Sequence, residues 1–285
     1  MRRLFIALSA AAVIAAPLSL AAAPAEAKAK SAKPANAALD RVLADPRRDK
    51  DRVRDEWRNP AETIAFFRIK PGMTVVDYMP SSGWWTRVLV PYLGENGRYI
   101  GLNPDVRNST EPMKRMFSDL GGKFPAQVTG WTGVSADRFG AYNTDTLPAD
   151  LKGKVDRVMI MREMHNLWRT NLMRAELFAV RDLLKDDGLL GIEQHRARAT
   201  ASADYTTGGN GYLREKDVIA LVEAHGFTFV AKSEINANRK DPADHKDGVW
   251  TLPPNFRNVK DEGEKARLSA IGESDRMTLL FRKRK

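Results

Sequence analysis

Two histidines, each just beyond an apolar run, are the residues of this chain best placed for chemistry. His165 stands in Arg162-Glu163-Met164-His165-Asn166-Leu167-Trp168 and follows Val155-Asp156-Arg157-Val158-Met159-Ile160-Met161. His195 stands in Glu193-Gln194-His195-Arg196 and follows Leu189-Leu190-Gly191-Ile192. An imidazole of near-neutral pKa can take a proton from an acceptor, a role open to His165, and Arg196 can hold an acidic substrate. Both histidines can equally be rim residues hydrogen-bonded to loops. A second reading gathers His165, His195 and His245 with Glu163, Glu193 and Asp244 around a metal that activates water, as in a metal-dependent hydrolase, but no compact ligand spacing supports it. His225, before Gly226, reads as a helix-end residue, and His245, in Asp241-Pro242-Ala243-Asp244-His245, as part of a lid or a loop cap. The chain has no cysteine, which excludes a thiolate nucleophile and Cys-ligated zinc.

The elements that must position these side chains alternate along the chain. Asn59-Pro60-Ala61-Glu62 reads as a helix start. Thr74-Val75-Val76-Asp77-Tyr78-Met79 is a short β-branched strand, Pro80-Ser81-Ser82-Gly83 a loop, and Trp84, Val88, Leu89 and Tyr92 mark the helix after it. Of the adjacent Trp84 and Trp85, one is expected in the core and the other in a crevice wall. A second strand reads over Arg98 to Leu102, a third over Ala126-Gln127-Val128-Thr129, a fourth over Val155 to Met161, and a fifth over Leu189 to Glu193 after a helix from about Asn171 to Leu184. A helix from Arg214 to Ala224 and strands at Phe227 to Ala231 and Met277 to Phe281 complete the pattern. Alternation of this kind predicts an α/β domain with a mainly parallel sheet covered on both faces. The stretch from Ser233 to Asp275 joins two strands that a tight hairpin could join, so it is expected to cover the crevice.

At the amino terminus, Arg2-Arg3, an apolar stretch from Leu4 to about Leu20, and Ala25-Glu26-Ala27 form the three parts of a secretory signal over residues 1–27. The 22 residues between Arg3 and Glu26 carry no charge, so an uncleaved anchor is the alternative, since about 20 apolar residues span a bilayer. Pro17 and the weakly hydrophobic, alanine-rich end favour cleavage, with a mature chain beginning at Lys28 and a periplasmic or secreted destination. A chain without thiols suits that destination. Residues 28–38 read as an Ala/Lys/Pro linker, and residues 39–285 as one domain. The formal net charge is +10, and the chain stays basic without the leader. Outside Arg282-Lys283-Arg284-Lys285 the positive residues are interleaved with acids, which counts against a nucleic-acid partner. No stretch after the leader is apolar enough to span a membrane, and nothing in the sequence indicates an oligomeric state.

Lys70-Pro71-Gly72-Met73-Thr74-Val75-Val76-Asp77 leading into Gly83-Trp84-Trp85-Thr86, then Gly97-Arg98-Tyr99-Ile100-Gly101, then Leu184-Lys185-Asp186-Asp187-Gly188-Leu189-Leu190-Gly191, resembles the class I S-adenosylmethionine-dependent methyltransferases in order and spacing. Glu234-Ile235-Asn236-Ala237-Asn238, Gly248-Val249-Trp250-Thr251-Leu252-Pro253-Pro254 and Ile271-Gly272-Glu273-Ser274-Asp275-Arg276-Met277-Thr278 are similar to a bacterial family of exported, predicted methyltransferases. The resemblance implies a Rossmann-like, seven-stranded, mainly parallel sheet with helices on both faces and an antiparallel last strand beside the fifth. It implies S-adenosyl-L-methionine as cofactor across the ends of strands one and two, with Asp77, Ser81, Gly83, Asn103 and Glu163 as cofactor-binding residues. It also implies a small-molecule or envelope-component acceptor near His165, His195 and Arg196. The family's acidic residue and alternating glycines are here Asp77, Met79, Ser81 and Gly83, and Asn103 stands where the family has a carboxylate. A polar sulfonium zwitterion does not cross a bilayer unaided. An exported chain of this kind therefore needs a delivered cofactor or a different ligand, and a non-catalytic binding or envelope protein on the same fold is the third reading.

Overall fold

The apolar runs of the sequence become the strands of one sheet in the computed structural model, which describes residues 36–285. The signal and nearly all of the linker lie outside the described residues. Four short helices come first: α1 (Ala37–Leu43), α2 (Asp49–Arg52), α3 (Asp55–Arg58) and α4 (Pro60–Phe66). Strand and helix then alternate through β1 (Thr74–Tyr78), α5 (Thr86–Leu93), β2 (Arg98–Asn103), α6 (Glu111–Phe117), α7 (Leu120–Thr132) and β3 (Phe139–Asn143). Next come β4 (Val155–Met161), α8 (Met164–Arg169), α9 (Met173–Leu183) and β5 (Leu184–His195). The chain closes with α10 (Glu215–Ala224), β6 (Phe227–Ser233), α11 (Glu262–Ile271) and β7 (Arg276–Lys283).

The sheet order is β3-β2-β1-β4-β5-β7-β6. β1 to β5 run parallel, and β7 inserts antiparallel to both β5 and β6. The order reverses between β1 and β4, and at such a switch point the strand ends open a crevice. Among the described residues no helix is long and apolar enough to cross a membrane.

Side chains of β1 alternate between the two faces. Val76 and Tyr78 enter one core with Val158, Ile160, Leu177 and Leu190. Val75 enters the other with Phe67, Leu89 and Phe124. Burial on both faces explains why the central strands read as continuous apolar runs.

The third strand lies elsewhere than expected. Residues 126–129 belong to α7, whose buried Phe124, Val128 and Thr132 recur every four residues, a helical spacing. The Asp119 side chain caps that helix by accepting from the Gly122 N–H at 3.1 Å. The actual β3, Phe-Gly-Ala-Tyr-Asn, has no β-branched residue. It is a strand because its backbone pairs with β2 from Tyr99↔Phe139 to Asn103↔Asn143.

The expectation for the tryptophan pair is also corrected. Trp84 and Trp85 are each 4% exposed and pack edge to face with ring centroids 4.9 Å apart. The Arg58 guanidinium lies 4.7 Å from the Trp84 ring centroid, so an aromatic face of Trp84 is covered by a cation.

Candidate functional site

The loop after β1 keeps an unusual backbone. Met79, Ser81 and Gly83 have φ of 54°, 52° and 75°, left-handed values alternating along the loop. Two of the three are not glycine, and each carries a steric cost of about 1–2 kcal/mol. The loop is held by the Met79 N–H donating to the Leu102 carbonyl at 2.7 Å and the Gly83 N–H to the Pro80 carbonyl at 2.9 Å. A fourth left-handed residue, Arg162 (φ 64°), ends β4, with its N–H donating to the Glu193 carbonyl at 2.6 Å.

Two clefts open over these strand ends. The first, of about 420 Å³, has Met79, Phe117, Leu120 and Phe124 as apolar wall and Ser81, Asn103, Gln127, Glu163 and Asn166 as polar groups. The second, of about 400 Å³, is bounded by Arg54, Arg58, Arg162, Arg169 and Arg257, by His165, His195, Glu273 and Ser274, and by Trp250, Pro253 and Pro254. Ser81, Glu163 and Asn166 line both. The stretch between β6 and β7 thus roofs the second cleft with Val249 to Arg257 and walls it with Glu273 and Ser274.

The titrating groups do not behave as the free residues would. Burial pushes the Glu163 carboxyl up to about 7, only partly opposed by Asn166, Arg162 and Arg169; the Asn166 amide donates to Glu163 Oε2 at 2.5 Å. Burial pushes His165 down to about 4, which leaves a neutral imidazole and a feeble base. The near-neutral group of the site is therefore Glu163, where the sequence pointed to His165. His195 is also pushed well down, by burial and then by His165, Arg162, Arg276 and Arg58; its Nδ1 lies 2.6 Å from Ser274 Oγ. The two imidazole rings are 5.7 Å apart, and Trp250 packs edge to face on His165. At Glu273, burial works to raise the carboxyl, but Arg276, Arg58, Arg162 and Arg54 together hold it well below the usual range.

Of the residues singled out from sequence, His165, His195, Ser81 and Glu163 line the second cleft, and Asn103 joins Ser81 and Glu163 in the first. Asn103 Nδ2 donates to the Phe117 carbonyl at 3.0 Å, which leaves its Oδ1 as the acceptor. Asp77 lies in the core, 2% exposed, accepting from the Tyr99 hydroxyl at 2.9 Å. It shares the face of Val75, beneath α5 and away from both clefts. Gly83 is likewise turned inward, because the place of its missing Cβ is filled by the Trp131 ring of α7. Arg196 is spent on three carboxylates: Asp275 at 2.9 Å, Glu234 at 2.8 Å and Glu215 at 3.2 Å. It ties the long connection to β5 and reaches neither cleft.

Of the six proposed metal ligands, Glu163, His165 and His195 share the second cleft, and the other three are engaged elsewhere. Glu193 pairs with Arg276 at 3.1 Å, Asp244 with Arg198 at 3.7 Å, and His245 with Asp241 at 3.0 Å. Among the described residues no three His, Asp or Glu side chains are grouped to hold a metal ion. His225 ends α10, with Nδ1 2.7 Å from the Leu221 carbonyl oxygen.

Sequence reasoning missed Arg162, Arg54 and Arg58, whereas Trp250 belongs to the Ser233 to Asp275 stretch that was expected to cover the crevice. Arg162 directly follows β4, a strand-end position that could have drawn attention. Arg54 and Arg58 are four apart on one helical face, hidden in a segment rich in charge. Glu176 was also missed. Buried on α9, it accepts from the Tyr78 hydroxyl (2.8 Å), the Thr144 hydroxyl (2.6 Å) and the Asp105 N–H (3.0 Å), and so ties the ends of β1, β2 and β3 together.

No protein-family model and no curated protein matches this chain. Solved structures do. The putative sarcosine dimethylglycine methyltransferase from Galdieria sulphuraria is 13% identical, covers 82% of this chain and 87% of its own, and superposes with a TM-score of 0.51. A SAM-dependent methyltransferase from Aquifex aeolicus is 18% identical over 70% of this chain and 93% of its own (TM-score 0.48). The [4+2]-cyclase SpnF is 13% identical over 80% and 81% (TM-score 0.49). Identities this low speak to the fold alone: the chain has the Rossmann-like methyltransferase fold.

Proposed function

We propose that this chain is an S-adenosylmethionine-dependent methyltransferase that holds its cofactor in the first cleft and a small-molecule or envelope-component acceptor in the second. The observation that carries the reading is the shared wall of Ser81, Glu163 and Asn166, standing over a loop with left-handed backbone at 79, 81 and 83. Two ligands in clefts joined this way meet at one wall, the arrangement a group transfer needs.

The residues of the first cleft fit the cofactor. Met79, Phe117, Leu120 and Phe124 offer an apolar slot for a purine, and Asn103 Oδ1 can accept a ribose hydroxyl, without the charge of a carboxylate. Glu163, Asn166 and Ser81 can meet the amino-acid end. Against this, Met79 puts a side chain where glycine would leave room, and Pro80 contributes no N–H. When bound, S-adenosylmethionine supplies an electrophilic methyl group on sulfur. Glu163 is the group placed to accept a proton from the acceptor, since it faces both clefts and burial pushes its carboxyl up to about 7. The neutral imidazoles of His165 and His195 can orient the acceptor, and the Trp250 to Pro254 roof excludes water. We further propose, on the leader and on the similarity to exported proteins, that the domain works outside the cytoplasm.

Calorimetric titration of the purified domain tests the reading. Saturable binding of S-adenosylmethionine is the expected result. No binding at about 1 mM, a free energy weaker than about 4 kcal/mol, removes the methyltransferase reading and leaves the non-catalytic binding protein in its place.

A further inference from the structure

The second cleft carries more positive charge than its own acids balance. Arg54, Arg58, Arg162 and Arg276 converge on Glu273 at 2.5, 3.4, 3.8 and 2.6 Å, and Glu193 offers Arg276 a second carboxylate. With Arg169, Arg257 and Glu163 also in the lining, six guanidiniums meet three carboxylates. Arg58, Arg276, Glu193 and Glu273 are all less than a tenth exposed. Buried charge left uncompensated is costly, and an anion entering from the open side relieves it.

Arg162 faces that open side. Its guanidinium has no hydrogen-bond acceptor among the described residues; it feels Glu193, Glu273 and Glu163 only through space, with Glu273 at 3.8 Å and already shared with three other arginines. The other arginines of the cleft differ. Arg54 and Arg58 are committed to Glu273, and Arg169 donates to Asn166 at 2.8 Å. Arg257 lies 4.4 Å from the Trp250 ring centroid and is exposed at the mouth. The left-handed backbone of Arg162 is the kind of strain that a fold retains where it aims a side chain. Both histidines here are neutral, so the positive charge of the cleft is carried by its arginines.

We infer that the second cleft is an oxyanion site in which Arg162, backed by Arg58 and flanked by Arg257, binds a carboxylate or phosphate group of a small molecule. The planar fork of an arginine matches two oxygens of either group. As a binding site the inference stands on this cleft alone; as the class of the methyl acceptor it rests on the methyltransferase reading.

Calorimetric titration with inorganic phosphate and with succinate, at constant ionic strength set by sodium chloride, tests it. The purified domain should bind at least one of them, and the one preferred identifies the group. Arg162→Gly, which suits a left-handed backbone, should weaken that binding about tenfold or more while the melting temperature without ligand stays level or rises. Arg162→Asn, also tolerated in that conformation, is the second variant should the first fold poorly. Absence of binding by both anions at about 10 mM, or wild-type affinity in a folded Arg162 variant, overturns the inference. S-adenosylmethionine titrated in parallel separates the two ideas: cofactor binding without anion binding removes only the oxyanion site, and the reverse removes only the cofactor.

Discussion

A buried carboxylate whose partners are neutral hydroxyls is an expensive thing to keep, and Asp77, facing Tyr99 and Thr86, is such a group. Burial pushes it up to about 7, against the opposing effects of Tyr99, Arg162 and Thr86. A carboxyl whose folded pKa lies above its unfolded value contributes stability that is complete below about pH 3.8 and is lost as pH rises toward 7. A rise from the ordinary aspartate range to about 7 corresponds to on the order of 4 kcal/mol at the limit. Asp77→Asn should therefore raise the melting temperature clearly at pH 8 and much less at pH 5, as thermal melts at the two values would show. An equal effect at both would mean that Asp77 is not protonated in the fold. Glu163 behaves the same way between about 4.5 and 7, but Asp77→Asn leaves that contribution in place. Glu273 has the opposite sign, its stabilisation being lost as pH falls below the ordinary glutamate range, so the comparison is best kept above pH 5. In the sequence, Asp77 was legible as the acid that ends strand one; which face of the sheet it enters followed only once Val75 and Val76 were assigned to opposite cores.

At the scale of elements, the contact that shapes the loop after β1 is between Gly83 and α7. Trp131 occupies the space of the missing Cβ, with Phe124 packed edge to face on it and Arg87 5.1 Å from its ring centroid. Gly83→Ala should thus cost about 2–4 kcal/mol, part from left-handed strain and part from displacing the indole. In a Trp131→Ala background the same substitution should cost only the strain, about 1 kcal/mol, and denaturant melts of the four proteins give the coupling directly. A coupling near zero would mean that the indole is free to move aside. Glycine at 83 was expected to admit a ligand, yet it admits a helix, because α7 replaces the strand expected near residue 126. Arg196 shows the same shift from function to architecture. Its three carboxylate partners come from residues 215, 234 and 275, which no spacing in the sequence brings together.

For the whole molecule, the proposal of export predicts that amino-terminal sequencing of the protein recovered from its native compartment begins at Lys28; an intact Met1 in the membrane fraction would instead favour the anchor. Within the described residues, the sequence by itself determined the class of the fold. Period and composition dictate burial, so strands such as Val155 to Met161 and the α/β alternation were readable locally. The candidate rim was readable too, since the ends of parallel strands and the loops after them lie at one edge of the sheet: Glu163 and His165 follow β4, and His195 ends β5. Only the tertiary structure decided what each rim residue does. The strand Phe139–Asn143 exists through pairing with β2 rather than through its own propensity. His165 loses its near-neutral pKa, and Glu163 gains one, through burial by residues distant in sequence. The oxyanion site proposed here depends on Arg58 from α3, Arg54 just before it, Arg162 just after β4 and Glu273 just before β7. Charge balance and desolvation are sums over neighbours in space, and the sequence names those neighbours only after the fold has brought them together.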